Sequence, residues 1–379
     1  MSRIVYLTPG CFDKGGISRY NRYQITCIRE LYGEGNVRVI SLVGPDHNDI
    51  EEPFSVYWCG GASFTLNKIR FVLVMLKCLF FWRPDLIVNA HVNFSGIVYV
   101  FSKVFGIKNI LNVYGSEVWS GLRFDIRMGL MRSDFVISDC YNTADYVRSH
   151  YRQHDGITVI WDCVDIDKFK YDDTRFAFIR DKYNLPDRDN NVLILTLGRM
   201  AERTDYKGYS RLIEVFNKVL STGSHVRLIM AGSGALVETL KARAVSLGIE
   251  SKITFTGSVD EEDMAALYSY GHIFSLVTES GVGMGEGIPL TPLEAMACQC
   301  PIIVGNQDGS REAVFEPRNG YIIDPMDLDV HAEIICRLAN DPLLLKELSV
   351  NARLIAEKHF AYELFKAKHK IFMDNILNR

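Results

Sequence analysis

At 379 residues the chain has room for two domains, and with 48% hydrophobic and 23% charged residues it has the composition of a globular protein, not a disordered one. A net charge of −4 gives no footing for a nucleic-acid-binding surface. The nine cysteines are odd in number and scattered without a CxxC pair, which favours buried free thiols in a reducing cytosol over disulfides or a zinc site.

Residues 4–7 are predicted as a strand, and they follow Met1 too closely to leave room for a secretory signal. A loop at 10–16 and a helix at 18–32 come next, then a strand at 37–43. The stretch 66–82 is predicted as a helix. It is very apolar and carries Lys68, Arg70 and Lys77, with Arg83 just beyond. Its apolar runs fall well short of the ~20 residues that span a bilayer. A buried helix of an α/β domain is the simpler reading, and a basic helix lying on an anionic membrane is the alternative. Strands follow at 85–89, 109–114, 135–138 and 157–160, with helices at 94–105, 123–131 and 141–150. Such alternation implies βαβ units and a parallel sheet with right-handed crossovers.

Residues 162–188 break the rhythm. They are polar and charged, and read as a linker with one short helix at 175–183. The pattern then restarts with strands at 192–197, 226–231, 253–256, 273–277, 301–304 and 320–323. The matching helices are 210–221, 236–247, 261–268, 328–339 and 342–359, and a last helix at 362–377 has no strand after it. The expected fold is therefore α/β with two Rossmann-like, doubly wound parallel-sheet domains, 1–168 and 190–359. In such sheets ligands bind at the carboxyl ends of the strands, and two facing sheets would form a central cleft.

The most informative segment runs from Glu286 to Glu294, Glu-Gly-Ile-Pro-Leu-Thr-Pro-Leu-Glu. Thr291, Pro292 and Glu294 have the spacing of an N-cap, a first helical residue and a capping-box partner. A strand, a glycine-rich loop and a helix start together suit an anionic group, because backbone N–H groups point outward there. The two carboxylates can accept hydrogen bonds from sugar hydroxyls. Glu294 has a plain alternative as a cap residue alone, and Glu286 as a solvated loop carboxylate.

Upstream, Gly198-Arg199 ends a strand and Lys207-Gly208 precedes a helix, so both cations can reach one phosphate, although either alone could be a surface residue. The intervening 201–206 is expected to be a solvated loop. Ala231-Gly-Ser-Gly234 is a short glycine turn after a strand, a weak signal alone. In order, Gly198-Arg199, Lys207-Gly208, Ala231-Gly-Ser-Gly234, Phe255-Thr-Gly257 and Glu286-Gly-Ile-Pro-Leu-Thr-Pro-Leu-Glu294-Ala-Met-Ala resemble the donor half of retaining glycosyltransferases of family 4, which have the GT-B fold. The likeness covers most of residues 192–324.

That resemblance implies a nucleotide-sugar in the second domain. Arg199 and Lys207 would bind its diphosphate and stabilise the leaving group, Glu286 would bind the sugar, and Glu294 the ribose. The backbone of Gly287, Ile288, Pro289 and Leu290 would lie along sugar and phosphate, and the base near Gly257, Ser258 and Val259. In the first domain it carries over Gly15 and Gly16, which would face donor phosphate and acceptor. Without the family, that glycine pair reads equally as a tight βα turn. The last helix, 360–379, would pack back on the first domain.

His91, after the strand 85–89, and Tyr114 and Glu117, in Tyr114-Gly-Ser-Glu, are acceptor or cleft candidates, with a structural His as the plain alternative. The family often has His where this chain has Tyr114, so a His-assisted step does not carry over. Asp165-Ile-Asp167 and Asp327-Leu-Asp329 spell Asp-x-Asp, but neither follows a strand end, and no metal or other cofactor is expected. The expected activity is metal-independent, retaining hexosyl transfer from GDP-mannose or a UDP-sugar to a glycan or lipid-linked acceptor in surface polysaccharide synthesis. Its expected place is the cytoplasm, with peripheral contact to the inner face of an anionic membrane left open. The rivals are a non-catalytic nucleotide-sugar-binding protein and a GT-B epimerase. A phosphorylase would need a pyridoxal-phosphate lysine, and none stands out.

Overall fold

A computed structural model describes residues 2–12, 15–44, 54–151 and 156–378. The chain divides into two compact units, Met1–Cys163 with Tyr362–Arg379, and Val164–Ala361.

The first unit holds seven strands: β1 (Ile4–Thr8), β2 (Val37–Ser41), β3 (Val56–Trp58), β4 (Leu86–Asn89), β5 (Lys108–Val113), β6 (Phe135–Ser138) and β7 (Ile157–Val159). They form one parallel sheet in the order β3-β2-β1-β4-β5-β6-β7. Alternate residues feed opposite faces: Ile4 and Tyr6 join the core under Gly16–Tyr32, while Val5 and Leu7 join the one under Phe64–Lys77. Burial on both faces is why these strands are unbroken apolar runs. The edge strand β3 has no counterpart among the sequence expectations; at three residues it carries no periodic signal.

The second unit holds β8 (Val192–Leu197), β9 (Val226–Ala231), β10 (Ile253–Gly257), β11 (Ile273–Leu276), β12 (Ile302–Gly305) and β13 (Gly320–Ile323). All pairs are parallel, in the order β10-β9-β8-β11-β12-β13. Both sheets thus have the doubly wound order in which strand sequence reverses at one point, as the Rossmann-like expectation requires.

Residues 164–188 are not a linker. They belong to the second unit, and their charges are used in packing. The Arg353 guanidinium donates to the carbonyls of Ile166 (3.1 Å) and Phe169 (2.9 Å). Helix Phe176–Tyr183 docks through Lys182 Nζ (2.6 Å) and Tyr183 Oη (2.8 Å) onto the buried Asp263, which Arg175 also meets at 2.6 Å. A charged stretch looks solvated in sequence until its partners, about eighty residues on, are known.

One further segment departs from expectation. The 66–82 stretch is a helix over Phe64–Lys77, capped by Ser63, and a π-turn over Cys78–Trp82. It is buried along one face only, through Asn67, Phe71 and Met75, while Phe64, Leu66, Ile69 and Leu73 face outward. The last helix, Tyr362–Leu377, belongs to the first unit. Its Phe365 ring meets Tyr20 edge-on, and its His369 ring lies 2.9 Å from Gln24 Nε2. All nine cysteines are free, and all but Cys336 are buried.

The Asp263 cluster sets a pH test. Burial opposes its ionisation, but Lys182, Tyr183 and Arg175 overcome that and hold the carboxyl below its ordinary value. Its contribution to stability is therefore complete above the unfolded carboxylate value of about 4 and fades as pH falls through the lower folded value. Asp263→Asn is expected to lower the urea midpoint of the second unit at pH 7, with the gap to wild type closing as the pH falls through the lowered folded value.

Candidate functional site

In the second sheet the strand order reverses between β8 and β11. The loops after these strands leave in opposite directions, and the crevice outside their carboxyl ends is where such sheets bind ligands. The loop after β8 carries Gly198 and the exposed Arg199, then tightens into a 3-10 helix at Glu202–Lys207. The loop after β11 carries Glu286. Lys207 Nζ lies 3.1 Å from Glu286 Oε1, both side chains being 21% exposed. The Tyr206 hydroxyl donates to the same oxygen at 2.8 Å.

The structure thus joins Lys207 to Glu286 directly. It also adds Tyr206, which the expectation of a solvated 201–206 loop missed; the sole sequence hint was an aromatic beside Lys207. Burial alone would lower the Lys207 pKa, but Glu286, Tyr209 and Tyr206 outweigh it and push it up, so the ammonium is secure. Burial, and then Glu286, raise the Tyr206 phenol.

The backbone of the Glu286 loop is tied on both sides. Glu279 N donates to the Tyr206 carbonyl at 2.7 Å, and Arg211 pairs with Glu279 at 2.8 Å. On the other side Glu286 N donates to Asp308 Oδ2 at 2.9 Å, and Gly309 N to the Glu286 carbonyl at 3.0 Å. Gly208 sits at φ 88°, where an added Cβ would come within 2.4 Å of the Val277 carbonyl oxygen. Gly232 has an equally tight cause, 1.9 Å from the Gly198 oxygen, so this glycine serves close packing of neighbouring loops.

The helix after the loop runs Leu290–Ala297, with Pro289 at its N-cap and no side-chain cap. The capping box expected from Thr291 and Glu294 is therefore absent: Thr291 is already helical, one residue past the first. Glu294 is 1% exposed instead, and its Oε2 accepts from the Tyr268 hydroxyl at 2.8 Å. Gly287, Ile288, Pro289 and Leu290 lie between Glu286 and Glu294 at the helix start. Gly257 stands at the end of β10 with φ 69°, followed by Ser258, whose hydroxyl meets Ser233 at 2.9 Å, and then Val259. The Asp-x-Asp pairs have structural duties. Asp165 accepts from the Asp167 and Lys168 amides, Asp327 caps helix Leu328–Asn340, and Asp329 pairs with Lys218. Among the described residues no cluster of His, Cys, Asp and Glu forms a metal site.

In the first unit the order reverses between β1 and β4. Gly15 is the N-cap of helix Gly16–Tyr32, and among the described residues a Cβ on Gly15 or Gly16 would meet nothing within 4 Å. Asp13 and Lys14 of the same loop lie outside the described residues. His91 follows β4, and its Nδ1 accepts from Asn93 N at 3.2 Å, which leaves the ring proton on Nε2. Burial lowers the His91 pKa, opposed by the nearby Glu117 carboxylate. Glu117 accepts from Tyr114 N at 2.6 Å, so His91 and Glu117 share one end of the sheet. Tyr114 turns away from it: its hydroxyl donates to Asn21 at 3.1 Å and accepts from Asn112 at 3.1 Å within the core.

With that geometry in place, residues 177–355 match the family model described as glycosyl transferases group 1. The match covers just under half of the chain and is a likeness to the glycosyl transferases group 1. A GDP-mannose-dependent alpha-(1-6)-phosphatidylinositol monomannoside mannosyltransferase of Mycolicibacterium smegmatis is 29% identical over 192 residues, 50% of this chain and 49% of its own. The mannosylfructose-phosphate synthase of Agrobacterium fabrum is 31% identical over 169 residues, 41% of this chain and 36% of its own. The match thus spans about half the length of these curated relatives or less. Likeness of fold extends further. The sucrose-phosphate synthase of Thermosynechococcus elongatus superposes with a TM-score of 0.79 at 18% identity, covering 99% of both chains. HepE of Anabaena, solved with UDP, gives 0.77 at 16% identity over 98% of this chain and 100% of its own. The architecture is GT-B: two Rossmann-like parallel-sheet units, the second carrying the residues that match the family model.

Gly208→Ala tests the loop geometry of the second unit. Strained φ and the Val277 contact should cost about 1–3 kcal/mol, read as a lower urea midpoint.

Proposed function

We propose that the protein is a retaining glycosyltransferase that moves a hexose from GDP-mannose or a UDP-sugar to a glycan or lipid-linked acceptor. The observation that carries this reading is the joining of Lys207, Tyr206 and Glu286 at the switch point of the second sheet. When the bond between the anomeric carbon and phosphate breaks, negative charge grows on the departing diphosphate. Lys207, whose charge is held on by its carboxylate neighbour, and the exposed Arg199 meet that charge, and fixed cations there lower the barrier. Glu286 takes hexose hydroxyls, and Glu294, oriented by Tyr268, takes the ribose.

No side chain stands in place as a covalent nucleophile in this reading. The acceptor hydroxyl attacks on the face the phosphate leaves, and its proton passes to the departing phosphate oxygen. The first unit takes the acceptor, with His91 and Glu117 as its polar groups and Gly15–Gly16 as a backbone open to a ligand. The curated relatives make GDP-mannose the first donor to try.

Incubating the protein with GDP-mannose or UDP-sugars and candidate acceptors should yield an α-linked product from an α-donor, read by the anomeric NMR coupling. An inverted product would overturn the same-face route. Glu286→Ala and Lys207→Ala should each lower kcat about a hundredfold or more. The inward turn of Tyr114, at the family's His position, favours a non-catalytic binding protein as the second reading. Transfer by the wild type that is lost in Glu286→Ala excludes it.

The reading includes contact with an anionic membrane surface. No helix among the described residues is long and apolar enough to cross a membrane. The outward face of Phe64–Lys77 and the turn after it nevertheless present Leu73 (61% exposed), Phe80 and Phe81 (76% exposed). Lys68, Arg70, Lys77 and Arg83 accompany them, and no acidic residue occurs between Phe54 and Pro84. Apolar side chains beside unopposed cations suit the interface of an anionic bilayer. Replacing Lys68, Arg70 and Lys77 together by Ser should release the protein from phosphatidylglycerol vesicles in a flotation assay. Unchanged binding would end the membrane reading.

A further inference from the structure

Asp308 has no place in the chemistry above, yet it is fully buried beside the Glu286 loop. It follows β12 and caps the short 3-10 helix Gly309–Ala313, its Oδ1 accepting from Ser310 N at 3.0 Å. Its Oδ2 accepts from the Thr278 hydroxyl at 2.5 Å and from Glu286 N at 2.9 Å. These partners are hydroxyl and amide donors, and burial pushes the carboxyl up to about 6 against their pull. The next residue, Gly309, donates to the Glu286 carbonyl at 3.0 Å. Both peptide groups of Glu286 are thus held by consecutive residues of a different loop. A buried carboxylate held, among the described residues, by hydroxyl and amide donors and no ion pair is a costly way to fix a surface loop, and its cost is offset only if that loop must be exact.

We propose that Asp308 is a positioning residue: it locks the Glu286 peptide so that the Glu286 side chain meets Tyr206 and Lys207 and addresses the hexose of the donor. The inference rests on the donor-site reading and deepens it. Asn at this position makes a selective probe. Its carbonyl oxygen keeps the Ser310 cap, and its NH2 can donate to the Thr278 oxygen, but that NH2 then faces the Glu286 N–H, donor against donor. Burial of a charge is removed at the same time, so the fold is expected to hold.

Hydrogen–deuterium exchange of Asp308→Asn, with no ligand present, should show the 285–290 amides exchanging about tenfold faster, with the Tm within a few degrees of wild type. With GDP-mannose, kcat should fall about ten- to a hundredfold while GDP affinity stays within about threefold, because the hexose contact is lost and the nucleotide contacts are not. Asp308→Ser, which caps Ser310 but is too short for Glu286, should behave alike and serves if the Asn variant unfolds. Unchanged exchange at 285–290, or wild-type kcat in a folded variant, overturns the proposal. Faster exchange supports the positioning role even if wild-type protein binds no nucleotide-sugar, a result that would count against the donor-site reading alone.

Discussion

An ion pair, Lys207 with Glu286, joins the two loops that leave the second sheet at its switch point. Neither residue is held there by the other alone. Lys207 ends a 3-10 turn whose carbonyl at Tyr206 receives Glu279 N, and Glu286 is fixed by Asp308 and Gly309. The parallel register of β8, β11 and β12 is what sets these loops side by side. Partial burial strengthens the pair, since water screens it less than it would at the open surface.

Much of this was legible in the sequence. Strands buried on both faces announce themselves as apolar runs, and glycines beside strand ends mark the loops. The segment from Glu286 to Glu294 was visible because its residue types are unusual in that order. What was hidden depended on distant partners. Asp263 gives meaning to Arg175 and Lys182, about eighty residues earlier, and without it that stretch looked like a linker. Thr291 carries the signature of a cap, yet Pro289 already has extended backbone and the helix begins one residue later. Asp308 left no mark beyond an acidic residue after a strand, because its work is done on a backbone amide that any residue supplies.

The first unit shows a different economy. Tyr6, Asn21, Gln24, Asn112 and Tyr114 form a buried hydrogen-bonded set beneath the helix Gly16–Tyr32. Polar groups fully satisfied in this way specify one arrangement of helix on sheet, where apolar contacts alone would tolerate several. Tyr114 belongs to that set, so the residue at the family's His position serves the core here, and the polar groups left at the sheet's end are His91 and Glu117.

The first unit is also discontinuous in the chain: its closing helix, Tyr362–Leu377, comes after the whole of the second. During synthesis on the ribosome, the side of Tyr20 that Phe365 covers stays bare until residues 164–361 have emerged. The amino-terminal half therefore waits, incomplete, while the later unit can already close on itself. Nascent chains of this protein expose an aromatic face for that interval, at the stage when chaperones act and when premature termination would leave a fragment unable to finish its core.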